Sequence, residues 1–369
     1  MGSSRTRGFL MNKYYSEAKL SAYEAIHEAQ KIALGPFIFQ ASRSLVKLGI
    51  LNKIEDQAEA GLSAKSISED LSLPLYGVKV LLDMGLSAGI VWFDPETERY
   101  HLNKVGHFLI NDEMTRVNMN FAHDVNYAGL AKLDEAITDQ KAAGLGEFSK
   151  EHETIYPIIS QLPEPAKTSW FEFDHFYSDN SFDRVLDKLF SFKPKKIVDI
   201  GCNTGKWALK VLNYDKDVKM ILVDLPQQIA VAKENLKKAG LLERVEFKEV
   251  DLLSQDIPQI ESADFVFMSQ FLDCFSDEQI KMILSKVRKS CEGASLAILE
   301  LFWDRQKHET ASFVMNATSL YFTAMANGCS RFYSFTDFKS YLSEEGFNID
   351  EQVDQIAIGG HSLLLCSKK

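Results

Sequence analysis

The chain has 369 residues, 46% of them hydrophobic and 25% charged, a balance that suits two soluble globular domains, each long enough for its own core. A formal net charge of −11 argues against a nucleic-acid partner, because phosphate binding needs a basic face. Five cysteines without a C-x-x-C pair suggest neither a disulfide framework nor a zinc site, and no apolar run approaches the ~18 residues of a membrane helix. A cytoplasmic protein with reduced thiols, no membrane contact and no metal is expected.

Met1 to Phe9 (MGSSRTRGF) reads as an expression leader, with Met11 a candidate native start. From Tyr14 to about Gly49 the apolar residues recur at helical spacing, broken at Gly35-Pro36. Leu62 to Leu71 reads as a capped helix, Leu73-Pro74 as a turn and Val78 to Met84 as part of a second helix. Ile90 to Phe93 and Arg99 to Leu102 then form a β-hairpin around Asp94 to Thr97. Together these spell a winged helix. Its second helix carries only Lys79 as a cation, beside Asp83, which favours a packing or dimerisation module over a DNA reader. Residues 111–190 are mostly helical and rich in aromatics, punctuated at Gly144-Leu145-Gly146 and Leu162-Pro163-Glu164-Pro165; Trp170 to Tyr177 are expected over a pocket.

From Lys195 the period changes. Ile197 to Ile200, Met220 to Asp224, Val245 to Phe247, Phe265 to Met268 and Leu296 to Glu300 are short apolar strands separated by helical stretches, which predicts an α/β, Rossmann-like, mostly parallel sheet of seven strands. The last two strands, around Ile349 to Gln355 and Ser362 to Cys366, are joined by too short a link for a crossover and are expected to run antiparallel.

The first of these strands ends in Asp199-Ile200-Gly201-Cys202-Asn203-Thr204-Gly205, glycines four apart where a dinucleotide site would need G-x-G-x-x-G. A carboxylate two residues before Gly201 suits the ammonium of an amino-acid ligand and not a pyrophosphate, which points to S-adenosylmethionine. Asp224, 19 residues past Gly205, is expected on the ribose hydroxyls, followed by Leu225. Asp251 is expected on the adenine amine, with Leu252 or Leu253 against the base. Asn203 in the turn and Ser269-Gln270 after the fourth strand complete the expected cofactor set.

The runs VDIGCNTG, LVDLPQQIAVAK, VDLLSQDIP, FLDCFSDEQIKMILSKVRKSC and LAILE resemble the successive motifs of the class I methyltransferases, and more narrowly the small-molecule O-methyltransferases of the caffeate and acetylserotonin type. The resemblance implies a homodimer built on an N-terminal winged-helix dimerisation domain (12–110), a helical linker and acceptor-pocket segment (111–190) and a cofactor domain (191–369). It implies a small aromatic acceptor, a phenol in the first place, oxygen being the favoured site of methylation and ring carbon an open alternative. The family's catalytic histidine falls on Asp273 and the next acid on Cys274; of its other two acids, one is matched by Glu300 and the other falls on Ser330.

An ordinary aspartate, pKa about 3.9, is a weak base for a phenol of pKa about 10. Asp273 is therefore a base raised by burial, or a group that orients an already acidic acceptor or one attacked at a ring carbon, or the mark of lost methyl transfer. His175 is a candidate imidazole from across the pocket. Asn316, Ser319, Phe322 and Thr323 share helical spacing and, with Trp170, are candidate acceptor contacts. The rival reading is a non-catalytic winged-helix regulator or scaffold that binds the cofactor as a signal.

Overall fold

The computed structural model describes Tyr15 and residues 18–178, 181–356 and 359–369; the leader and the candidate start at Met11 lie outside the described residues. The described chain forms two compact units, residues 18–125 and residues 126–369. The division falls later in the chain than residue 110, because the helices Lys104–Asn111 and Glu113–Phe121 belong to the N-terminal unit.

In that unit Ala22–Ala33 is opened by a reciprocal cap between Ser21 and Glu24, and Gly35–Lys47 starts with proline in its first turn, where the missing N–H costs nothing. Helices Ala64–Asp70 and Leu75–Ser87 flank the turn at Leu73-Pro74, and the hairpin β1 (Val91–Asp94) and β2 (Arg99–Leu102) follows. Leu45, Ile50, Ile54, Ile67, Val78 and Leu82 close the core of this unit.

The second unit is built on a seven-stranded sheet of β3 (Lys196–Ile200), β4 (Lys219–Asp224), β5 (Val245–Glu249), β6 (Phe265–Ser269), β7 (Ser295–Glu300), β8 (Phe347–Ile356) and β9 (His361–Lys368). Their order is β5-β4-β3-β6-β7-β9-β8. The first five are mutually parallel; β9 runs antiparallel to β8, as the short link predicts, and antiparallel to β7 as well. Alternate residues face opposite sides: Val198, Ile200 and Val223 enter one core layer, Ile197, Met220 and Leu222 the other.

The chain leaves β3 toward β4 and β5, then returns to lay β6 on the other side of β3. That reversal opens a crevice at the carboxyl ends of the strands, the usual place for a ligand in a sheet of this kind. Residues 126–190 form short helices and irregular turns rather than one rod, the longest being Ala166–Ser178. Gly129 and Gly144 are glycines for a packing reason, since a methyl on either would strike the sulfur of Met325 and the other's carbonyl.

Candidate functional site

Five successive parallel strands end in polar residues at one rim of the sheet: Asp199 in β3, Asp224 closing β4, Asp251 just past β5, Ser269 closing β6 and Glu300 closing β7. Between β3 and the helix Lys206–Tyr214 the backbone turns through three left-handed residues, Gly201 (φ 76°), Asn203 (φ 47°) and Gly205 (φ 79°). A side chain at Gly201 would overlap the ring of Phe271, so that turn and the loop after β6 are packed backbone against ring. Gln270 is also left-handed (φ 46°) and donates its N–H to Leu299.

Asp199 is buried, and its Oδ2 has no hydrogen-bond partner among the described residues. Burial, with the nearby charge of Asp224, pushes its carboxyl up to about 8. Asp224 is held in place by the backbone N–H groups of Asn203 (2.8 Å) and Leu225 (2.7 Å). Each of its oxygens keeps a further lone pair for a ligand. Asp251 closes its own turn, accepting from the Leu253 N–H at 3.0 Å and the Ser254 hydroxyl at 2.7 Å. Leu252 faces inward, in the core beside Val223 and Val250, whereas Leu253 is 42% exposed and is the leucine open to a planar ligand.

A second cluster sits beyond β6. The turn Leu272–Cys274 is pinned by Glu300, whose Oε1 accepts from the Phe271 and Leu272 N–H groups at 3.0 and 2.9 Å; its Oε2 is buried without a partner. Asp273 is 6% exposed. Burial raises both carboxyls, Glu300 the more, and each is raised by a like charge as well: Glu300 by Asp273, and Asp273 by Asp174. The Cys274 thiol, which burial keeps protonated, donates to Asp273 Oδ1 across 3.6 Å. Asn327 Nδ2 lies 3.0 Å from the Tyr156 hydroxyl, 2.9 Å from the Cys274 carbonyl and 2.9 Å from Ser330 Oγ, which brings Tyr156 to the same turn. The helix Asp277–Ser290 then begins on a reciprocal Ser276–Gln279 cap, which fixes where this loop ends.

Trp170 donates its indole N–H to the Tyr321 hydroxyl at 2.8 Å, so this part of the aromatic wall is tied to the helix Glu309–Tyr321. His175 is exposed, with its ring 6.0 Å from that of Phe171; it is the neighbouring Asp174 whose charge reaches Asp273. The expected acceptor face is only partly assembled. Asn316 is exposed, Ser319 bonds to the Met315 carbonyl and accepts from the Phe332 N–H, and Thr323 bonds back to the Ser319 carbonyl. Phe322 is buried against Phe332, and from it the helix widens into a π turn, Phe322–Ala326, which breaks the assumed spacing. Tyr156, Tyr321 and Asn327 gather around this turn without any motif to mark them, whereas Cys274 is reached through the motif that places it next to Asp273.

Residues 179–348 match an O-methyltransferase domain and residues 27–100 a Dimerisation2-like domain. The chain is 29% identical over 155 residues to desmethylxanthohumol 6'-O-methyltransferase of Humulus lupulus, a match that spans 41% of this chain and only 40% of that protein. It is 24% identical over 324 residues to the N,N-dimethyltransferase OxyT of Streptomyces rimosus, covering 86% of this chain and 90% of OxyT. Among solved structures, the apo form of the S-adenosylmethionine-dependent methyltransferase SibL superposes with a TM-score of 0.67 at 20% identity, over 92% of this chain and 98% of SibL.

Proposed function

Because the chain belongs to the S-adenosylmethionine-dependent O-methyltransferases, we propose that it methylates a small aromatic, phenolic acceptor with Asp273 as the proton acceptor. The family's cofactor fits the rim on one observation above all: the buried, unpartnered Oδ2 of Asp199, which suits an ammonium. On this reading Asp199 holds the amino group, Asp224 the ribose hydroxyls and Asp251 the adenine amine, while Asn203, Gly205, Leu225, Ser269 and Gln270 line the remainder. When bound, S-adenosylmethionine supplies an electrophilic methyl carbon.

The observation that carries the proposal is the burial of Asp273, which pushes its carboxyl up to about 7. A base near the working pH is partly ionised and still strong enough to draw the proton from a phenol as the oxygen attacks. Glu300 fixes the turn that presents Asp273, and Cys274 donates to its Oδ1. The aromatic wall at Trp170 and Tyr321 excludes water and orients the ring; alignment of this kind supplies most of the acceleration in a displacement.

The N-terminal unit is, on the same reading, a winged-helix dimerisation module of a cytoplasmic homodimer that binds no nucleic acid. Helix Ala22–Ala33 buries none of its side chains and leaves Tyr23, Ile26 and Ile32 exposed, an apolar face suited to a second copy. No helix among the described residues is long and apolar enough to cross a membrane.

Transfer of label from S-adenosylmethionine to a panel of phenols tests the reading, with Asp273→Asn expected to lower kcat by about 100-fold or more. A chain that transfers no methyl to any phenol while binding duplex DNA specifically is a regulator, and the proposal fails.

A further inference from the structure

The turn that presents Asp273 is held on its N-terminal side by Glu300, which takes the Phe271 and Leu272 N–H groups. After Asp273 the grip comes from Asn327. Its Nδ2 lies 2.9 Å from the Cys274 carbonyl, and its Oδ1 accepts the N–H groups of Cys329 at 3.0 Å and Ser330 at 3.1 Å. These partners fix the orientation of the amide, since a flipped Asn327 would set its nitrogen against two N–H donors and its oxygen against a carbonyl. Both ends of the side chain are engaged.

Asn327 also stands on a fixed base. Its own N–H and that of Gly328 share the Phe322 carbonyl, each at 3.0 Å, and the Ile155 N–H donates to the Ala326 carbonyl at 2.9 Å. Gly328 is left-handed (φ 81°), and a methyl there would strike the backbone of Lys141 at 2.5 Å. The loop cannot shift without disturbing these neighbours. Beyond the turn, the Phe275 carbonyl accepts from Tyr333 at 2.6 Å and Ser276 caps the next helix. The path of the chain out of the turn is thus secured without Asn327. What Asn327 adds is the bearing of the Cys274 peptide, one residue from the proposed base.

We infer that Asn327 is a positioning residue for methyl transfer: it clamps the chain after Asp273 as Glu300 clamps the chain before it, and so keeps the Asp273 carboxyl aimed at the acceptor. The inference rests on the reading of Asp273 as the proton acceptor and adds the residue that aims it. Aim matters because a reacting group displaced by about 1 Å loses roughly 100-fold in rate.

Methyl transfer from S-adenosylmethionine to catechol, 4-ethylphenol and 1-naphthol tests the inference, with S-adenosylhomocysteine affinity measured by calorimetry on the same full-length proteins. Asn327→Ala should lower kcat by about 10- to 100-fold while KM and S-adenosylhomocysteine affinity stay within about two-fold. Asn327→Asp keeps an oxygen for the Cys329 and Ser330 N–H groups but offers the Cys274 carbonyl no donor. It should lose kcat to a similar extent and, by placing a like charge near Asp273, move the acidic limb of the pH–rate profile to higher pH. In an Asp273→Asn background, Asn327→Ala should cost no more than about two-fold further, because a residue that acts through Asp273 has nothing left to aim. Wild-type kcat in both Asn327 variants, an unmoved acidic limb in Asn327→Asp, or the same fold loss in both backgrounds overturns the inference and leaves the methyltransferase reading standing. An Asp273→Asn protein as fast as the wild type overturns the reading of the base and the inference with it, and so does a wild type that transfers methyl to none of the three phenols.

Discussion

The thiol of Cys274 donates to the carboxylate of its chain neighbour, Asp273, with Sγ 3.6 Å from Oδ1. The thiol stays protonated because burial and the charge of Asp273 push its own pKa well up. The bond favours the ionised form of Asp273 and so works against the burial that raises it. Removing the donor in Cys274→Ala should raise the Asp273 pKa further and move the acidic limb of the pH–rate profile to higher pH, with kcat/KM at pH ~7 down by roughly 3–10-fold. Cys274→Ser, a stronger donor, should move the limb the other way. Profiles for both variants that overlay the wild type would remove Cys274 from any part in tuning the base.

Asp199 gives a second pH dependence, this time in cofactor binding. On the proposed reading its carboxyl, raised to about 8 by burial and by Asp224, loses a proton to pair with the ligand's ammonium. Below that value the free protein holds an extra proton, so affinity falls as the pH falls, by up to about ten-fold per unit. Above it the ligand's own amine, pKa about 8 or higher, begins to lose its proton and affinity falls again. Calorimetry with S-adenosylhomocysteine between pH ~6 and ~10 should trace a maximum with both limbs, and Asp199→Asn should weaken binding and erase the acidic limb alone. An acidic limb that survives in the variant assigns that titration to another group.

Gly201→Ala tests how far the two halves of the rim depend on each other. The residue is left-handed, and its new methyl would meet the ring of Phe271, whose N–H is one of the two held by Glu300. Gly240 supplies the control, since it too is left-handed (φ 70°) but has open space where a Cβ would stand. Gly240→Ala should cost about 1 kcal/mol in denaturant unfolding, the price of the backbone conformation alone. Gly201→Ala should cost about 2–4 kcal/mol and weaken cofactor binding as well, because the ring has to move. Equal costs for the two would mean that Phe271 yields freely and that the packing is incidental.

These relationships divide cleanly into what a linear reading can reach and what it cannot. Strand ends are legible because an apolar run of fixed period stops at an acid, which singles out Asp199 and Asp224 from local pattern, whereas Glu300 is singled out only through the family resemblance. The mostly parallel sheet follows from alternating strands and helices, and the antiparallel last pair from a link too short to cross over, whereas the strand order is visible only in the structure. Leu252 was less legible: two adjacent leucines differ only in which faces the core, and the turn closed by Asp251 decides that. Tyr156 and Asn327 are 171 residues apart, and neither sits in a pattern that announces the other. Ser319 has the right spacing for a pocket face, yet its hydroxyl is engaged with the backbone of Met315 and Phe332. Side-chain hydroxyls are claimed by nearby backbone so often that spacing alone does not reserve them for a ligand.

Asp273→Asn should stabilise the protein while disabling it. In the unfolded chain the carboxyl ionises near pH ~3.9; in the folded protein burial and Asp174 hold it up to about 7. A group whose folded pKa is raised favours the folded state least when it is ionised, so its contribution worsens as the pH climbs from the unfolded value through the folded one. At pH ~4 both states bind the proton nearly alike and the substitution should be close to neutral. At pH ~7 the asparagine avoids the penalty of ionising in a dry site, keeps an oxygen for the Cys274 thiol, and should gain about 1–3 kcal/mol in urea unfolding. Relief of the like charge on Glu300 works in the same direction. Methyl transfer should fall in the same variant, the expected exchange of stability against function at a strained site. A variant less stable than wild type at pH ~7 would mean that ionised Asp273 has a stabilising partner in the folded protein, and the case for a raised base would fall with it.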